Sequence, residues 1–286
     1  MDQRCRMRTA DGAAVGYRRW SPPYPAAAPP LLLLHGAASN GTRWWHFVAH
    51  SHLAASRVLL RPDLRGHGDS LWRGPAGMAE WIEDQVALLR HEGVPRAVIV
   101  GHCLGANLAL HLAASHPDLC AGLVLVEPMP RWALRGKLAW AGRLAPVLEA
   151  LAGAIGRANR LGLHRRRLAG VDLEQLDRPV LAARNGDVER ALAAHGSFFQ
   201  DIRVVPSAQF IANFVELARP LPVTQVRCPS LVVLSSGRHM ADPGEVRAAL
   251  AGLPRAEFVE LESQHWIPTT HPERLCELID AWVGTP

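Results

Sequence analysis

The segment Gly101-His102-Cys103-Leu104-Gly105 sets one thiol between two glycines, where a β-branched apolar run meets a Leu/Ala pattern of helical character. A strand, then G-x-Nu-x-G, then a helix makes a sharp turn. The glycines allow two backbones to approach closely, and the central side chain stands clear of the sheet. The central residue here is Cys103. At a helix N-terminus, backbone N–H groups and the helix dipole favour the thiolate, which is the reactive form, so the position suits nucleophilic attack on a carbonyl carbon. Cys5, Cys120, Cys228 and Cys276 have no such setting and read as packing or surface residues. Five scattered cysteines without a C-x-x-C pair predict neither a disulfide framework nor a zinc site.

A nucleophile of this kind needs a scaffold. Extended apolar runs recur at 31–34, 57–61, 97–100, 123–126, 231–234 and 257–261, with helix-like stretches between most of them, for example 81–91 and 104–115. Continuous Leu/Val/Ile strands alternating with helices predict an α/β fold with a mostly parallel sheet covered on both faces. The N-terminal Ala-Asp-Gly turn before alternating residues predicts an antiparallel edge hairpin. From Arg131 to about Pro220 the strand signal stops, and Ala, Leu and Arg dominate with apolar residues at helical spacing. Ser207 is a candidate N-cap for the last of these helices. The chain thus divides into a first core part (1–130), a helical cap insertion (131–220) and a second core part (221–286).

His35-Gly36-Ala37 follows the run at 31–34, and Asp63-Leu64-Arg65-Gly66-His67-Gly68-Asp69-Ser70 follows the next run. With the Cys103 turn and Gln264-His265-Trp266 after the last run, these segments resemble the α/β-hydrolase superfamily over nearly the whole chain. The resemblance implies the fold but not the substrate, because this fold hosts many chemistries. It implies that His265 is the base serving Cys103. The nearby His271 precedes Pro272 and suits the entrance of the final helix, expected over 272–283. His102 and His35 are expected to be structural, and Asp63, Arg65 and Ser70 to hold their loop. The oxyanion donors implied are the backbone N–H groups of Leu104 and Ala37.

The triad acid departs from the family pattern. The usual position after the seventh strand carries His239, and an imidazole cannot replace the carboxylate that orients the base. Asp242 lies three residues on. The better candidate is Glu127, which ends the Leu-Val-Leu-Val run at a position some members of this fold use; a carboxylate there faces the crevice at the carboxyl edge of a parallel sheet.

A thiol nucleophile makes the intermediate a thioester, which accepts water, amines, thiols or carbon nucleophiles. Cysteine with an acid after the sixth strand resembles the Dieckmann cyclases of polyketide and hybrid peptide biosynthesis, with Glu in place of their Asp. That resemblance implies a cofactor-free enzyme that takes a carrier-bound acyl thioester onto Cys103 and releases it by ring closure. The alternatives are a thioesterase, esterase or lactonase, an acyltransferase, and a non-catalytic binding protein on the same fold, for which His239 speaks.

The net charge of +5 comes almost wholly from arginine, Lys137 being the only lysine. The expected cap concentrates it in Arg131, Arg143, Arg157, the triplet Arg165-Arg166-Arg167, Arg178, Arg184 and Arg190. A basic cap would steer an acidic acyl carrier protein towards the site. Trp132, Trp140, Phe198, Phe199, Phe210 and Phe214 are candidates for an acyl pocket under it. No nucleic-acid motif or basic aromatic-rich helix occurs, so nucleic acid is not an expected partner. No apolar run reaches bilayer length and the N-terminus lacks a signal-peptide core, so a reducing cytoplasm is expected.

Overall fold

The computed structural model describes residues 1–164, 167–182 and 198–284. Eight strands form one sheet in the order β1-β2-β4-β3-β5-β6-β7-β8. They are β1 (Asp2–Arg8), β2 (Ala14–Trp20), β3 (Leu31–Leu34), β4 (Leu59–Pro62), β5 (Ala97–His102), β6 (Cys120–Val126), β7 (Ser230–Ser235) and β8 (Ala256–Leu261). The β1–β2 hairpin is antiparallel and β2 pairs antiparallel with β4, while every pairing from β4 through β8 is parallel. The expected edge hairpin and parallel core are both present. Expected strand ends agree with the observed ones or differ by up to three residues; β6 begins at Cys120 rather than Leu123, because Cys120 already pairs with Ala97.

The four leucines of β3 explain the layering. Leu32 and Leu34 face one core, shared with Leu60 and Ile99, and Leu31 and Leu33 face the other, shared with Leu59, Val98 and Val100. Alternation sends successive side chains to opposite faces, so a strand that is apolar throughout needs helices on both sides. Helices α2 (Met78–His91), α3 (Leu104–Ser115) and α9 (Pro243–Leu250) contribute to the first core, and α1 (Trp45–His50) and α11 (Pro272–Gly284) to the second.

Between β6 and β7 the described residues form helices α4 (Gly136–Arg143), α5 (Ala145–Arg160), α6 (Leu173–Ala182), α7 (Phe198–Val204) and α8 (Ser207–Leu217). Ser207 is the first helical residue of α8, and Pro206, with extended backbone, takes the N-cap position instead. The inserted helices are fastened to the core by polar contacts. Arg43, buried, bonds both carboxylate oxygens of Asp177 at 3.0 and 3.1 Å and Thr269 Oγ1 at 2.5 Å, and Trp45 Nε1 donates to Asp177 at 2.9 Å. Asn213 Nδ2 reaches His67 Nε2 at 3.1 Å, and Gln209 donates to the Gly74 carbonyl. Among the described residues no helix is long and apolar enough to cross a membrane.

Trp132 is 77% exposed and Trp140 62% exposed, so neither lines a buried pocket. Phe210 is buried and packs edge-on against Phe214 at 5.0 Å. The side chains of Phe198, Phe199, Lys137 and Arg160 lie outside the described residues, as do Arg165, Arg166, Arg184 and Arg190.

Candidate active site

Strand β5 runs directly into the Cys103 turn, and α3 starts at Leu104. Cys103 adopts φ +56°, ψ −119°, a conformation costly for any residue with a side chain, and it holds the N-cap position of α3. Both flanking glycines are needed for close approach. A Cβ on Gly101 would lie 2.2 Å from the Gly105 carbonyl oxygen, and one on Gly105 would lie 2.5 Å from Leu34 O and 2.6 Å from His35 O. Strand β3, the turn and α3 are therefore pressed together, which aims the thiol along the carboxyl edge of the sheet.

His265 sits in the loop after β8, just before the short helix α10 (Ile267–Thr270). Cys103 lies close enough to His265 for its charge to act on the ring. On the other side of the ring, His265 Nδ1 lies 3.0 Å from Glu127 Oε2. All three residues are buried, at 6%, 4% and 7% exposure. Burial alone would lower the His265 pKa, but Cys103 and then the Glu127 carboxylate outweigh it and raise the value to about 10.

Glu127 follows the last residue of β6 with φ +52°. Its N–H still bonds Val233 O of β7 at 2.9 Å, so the backbone is tied to the sheet while the side chain turns along the sheet edge. The carboxylate is bracketed by Ser235, whose N–H donates to Oε1 at 2.5 Å and whose hydroxyl donates to Oε2 at 3.0 Å. Asp242 is used elsewhere: its Oδ1 accepts from Gly244 N and Glu245 N at 3.0 and 3.2 Å, capping α9. Arg135 and Arg238 approach its other oxygen at 3.7 and 3.8 Å. His239 is exposed.

His35 and His271 have structural partners. His35 Nε2 accepts from Leu64 N at 2.9 Å, which leaves its Nδ1 proton to donate to Gly36 O at 2.7 Å. Burial, and then the neighbouring His67, hold its pKa well below the usual imidazole value, so it stays neutral. That neutral ring ties the loop carrying Ala37 to the start of the Asp63–Ser70 loop. Leu104 is the first residue of α3, so its N–H has no acceptor within the helix. The Asp63–Ser70 loop is held by its own residues: Asp63 accepts from Gly41 N and Asp69 N at 2.7 Å each, Ser70 donates to Asp63 O at 2.7 Å, and Arg65 grips Asp84 at 2.5 and 3.0 Å. His271 O accepts from Leu275 N at the start of α11.

Sequence reasoning missed Ser235 and, though it expected His102 to be structural, did not supply its partner. Ser235, at the end of β7, supplies two of the three hydrogen bonds to Glu127; its signal is that β6 and β7 are parallel neighbours whose ends lie side by side. His102 Nε2 bonds the His265 carbonyl at 3.1 Å and its ring lies 5.1 Å from the His265 ring. Burial and the neighbouring His265 charge keep His102 neutral, so it acts as a Nε2–H donor that fixes the His265 backbone.

Residues 29–272 match the family model of the α/β hydrolase fold. The chain is 29% identical over 272 residues to the lipase LipV of Mycobacterium tuberculosis (strain ATCC 25618 / H37Rv), covering 93% of this chain and 97% of that one. It superimposes on a thermophilic esterase from Thermogutta terrifontis with a TM-score of 0.70 and 22% identity, covering 99% and 98% of the two chains. An enol-lactonase from Burkholderia xenovorans LB400 gives a TM-score of 0.68 at 18% identity, covering 98% and 100%. With its sheet order, its turn at Cys103 and this match over most of its length, the chain belongs to the α/β hydrolase fold family.

Proposed function

We propose that the protein hydrolyses a small-molecule ester or thioester through an acyl-enzyme on Cys103. The observation that carries the reading is the buried bond of His265 to Glu127, itself held by Ser235, beside the Cys103 turn at the carboxyl edge of the sheet. The Cys103 thiolate attacks the carbonyl carbon, and the developing oxyanion is met by the N–H groups of Leu104 and Ala37. Protonated His265 gives its Nε2 proton to the departing alcohol or thiol as the tetrahedral intermediate collapses to a thioester. Neutral His265 then takes a proton from water as the water attacks that thioester. Collapse releases the acid, and the proton held by the ring leaves Cys103 again paired as thiolate with imidazolium. Glu127 accepts a hydrogen bond from Nδ1–H throughout and so fixes the tautomer, while Ser235 fixes Glu127. Every step uses side chains and amides of this chain.

The likeness to a lipase, an esterase and a lactonase supports hydrolysis as the release step. Ring closure of a thioester-linked chain is the second reading, favoured by the pairing of a thiol with an acid placed after β6. An acidic carrier protein belongs to that second reading, with Arg131, Arg143, Arg157 and Arg167 exposed on the described part of the insertion. The test is product mass from short-chain nitrophenyl esters, acyl-CoA thioesters and a β-ketoacyl-aminoacyl thioester, with Cys103→Ala beside the wild type. Free acid that depends on Cys103 supports hydrolysis. A Cys103-dependent product lighter by one water establishes ring closure instead, and products unchanged in Cys103→Ala refute both readings.

A further inference from the structure

At the opposite end of β6 from Glu127, the sulfurs of Cys120 and Cys228 lie 3.1 Å apart, both buried at 1% and 6% exposure. Cys120 opens β6, and Cys228 lies two residues before β7, the neighbouring parallel strand. The two side chains therefore meet across adjacent strand entrances, although 108 residues separate them in sequence. The backbone around them is pinned, with Leu123 N bonding Pro229 O at 3.0 Å and Arg96 Nε bonding Cys120 O at 3.1 Å. A disulfide needs the sulfurs only about 1 Å closer.

We infer that Cys120 and Cys228 are a redox pair that hydrogen peroxide converts to a disulfide closing the base of the helical insertion. Cys228 is assigned as the attacking sulfur: the contact with Cys120 and, against burial, the positive charge of Arg96 and Arg255 hold its thiol below the usual range, while the same contact and burial hold that of Cys120 above it. The Cys228 thiolate attacks one peroxide oxygen, the O–O bond breaks, and a sulfenic acid forms as hydroxide leaves to take up a proton. The Cys120 sulfur then attacks the Cys228 sulfur, the S–S bond forms, and the S–O bond breaks. The departing hydroxide takes the Cys120 proton and leaves as water. Two thiols are oxidised by two electrons, and one peroxide is reduced to two waters.

The consequence is mechanical rather than catalytic. The bond would close a loop that contains all the helices between β6 and β7, and it lies about 23 Å from Glu127 at roughly 3.3 Å per strand residue. Closing a loop of about 100 residues chiefly restricts the unfolded chain, and in a protein of this size it should raise the thermal midpoint by about 8 °C.

The test begins with Cys103→Ser protein, which removes the active-site thiol from the count. Reduced protein is treated with stoichiometric hydrogen peroxide, denatured and titrated for thiols, then digested without reductant. The expected result is a fall from four thiols to two, a peptide pair joining Cys120 to Cys228 about 2 Da lighter than its reduced components, and the higher thermal midpoint. Cys120→Ser should instead stop at a Cys228 sulfenic acid that reacts with dimedone, with no rise in midpoint. If that variant does not fold, the peptide map of Cys103→Ser decides alone. Four remaining thiols, or a bridge that uses Cys5 or Cys276, overturn the inference.

Discussion

Replacing Glu127 with glutamine keeps the length and volume of the side chain and removes only its charge and one acceptor. Glu127 accepts from Ser235 N–H at 2.5 Å, from the Ser235 hydroxyl at 3.0 Å and from His265 Nδ1 at 3.0 Å. A glutamine amide has one acceptor oxygen and one donating NH2 group. The Ser235 N–H is fixed in the sheet and keeps the oxygen, so the NH2 group faces His265. His265 Nδ1 must then accept, which moves the ring proton to Nε2 and presents the wrong tautomer to Cys103. The carboxylate that stabilises the imidazolium is lost at the same time. In a serine triad such a change costs about 10⁴-fold in turnover. A thiol ionises more readily than a hydroxyl and leans less on the base, so the expected fall in kcat here is about 10³-fold, or ~4 kcal/mol. Asp242→Asn is the matched control, because asparagine still caps α9; its kcat should stay within about two-fold of wild type. Steady-state hydrolysis of a nitrophenyl ester and an acyl-CoA, with thermal melts to verify folding, reads both. A Glu127→Gln enzyme within about three-fold of wild type refutes the role given to the carboxylate, and so does an Asp242→Asn enzyme that falls equally far.

Three further outcomes are expected. Gly105→Ala should cost about 3 kcal/mol or more and abolish soluble expression, because its Cβ meets two backbone carbonyls, whereas Gly153→Ala in α5, with nothing within 4 Å, should stabilise by about 0.5–1 kcal/mol; paired thermal melts read the contrast. Asp177→Ala should destabilise by about 3–5 kcal/mol, since it leaves the buried Arg43 guanidinium unpaired, and urea unfolding checks this. The His265 pKa is raised from the ordinary 6.5 to about 10, so the stability it contributes is complete below pH 6.5 and is lost as pH rises through about 10. Cys103→Ala removes the charge that most raises it, so histidine NMR should show His265 titrating at a much lower pH in that variant; an unmoved titration would rule out the thiolate–imidazolium pair.

The parallel sheet and the Cys103 turn were readable because their signals are local. Four consecutive leucines in β3 can only be a strand buried on both faces, and Gly101 and Gly105 mark where backbones crowd. Relations that need neighbouring strands in register were readable only in part: position at the sheet edge favoured Glu127 over Asp242, but not its partner Ser235. Glu127 and Asp242 are both carboxylates near strand ends, and the pairing of Val126 with Val233 is what brings Glu127 beside Ser235 and His265. The contact between Cys120 and Cys228 is invisible for the same reason, since each cysteine alone looks like a small apolar residue. Trp132 and Trp140 misled because helical spacing of aromatics does not say which face meets the core. The Arg43–Asp177 bond joins a loop after β3 to the inserted helix α6, and charge pattern in the sequence gives no hint of it.

The central claim is that Cys103 carries the acyl group. The direct measurement is rapid quenching of the wild-type protein with an acyl-CoA or nitrophenyl ester, followed by intact-mass spectrometry and peptide mapping. The expected result is a transient adduct of the acyl mass on the peptide containing Cys103, reversed by hydroxylamine and absent from Cys103→Ala. Turnover that persists in Cys103→Ala, or an adduct that maps to another residue, would contradict it.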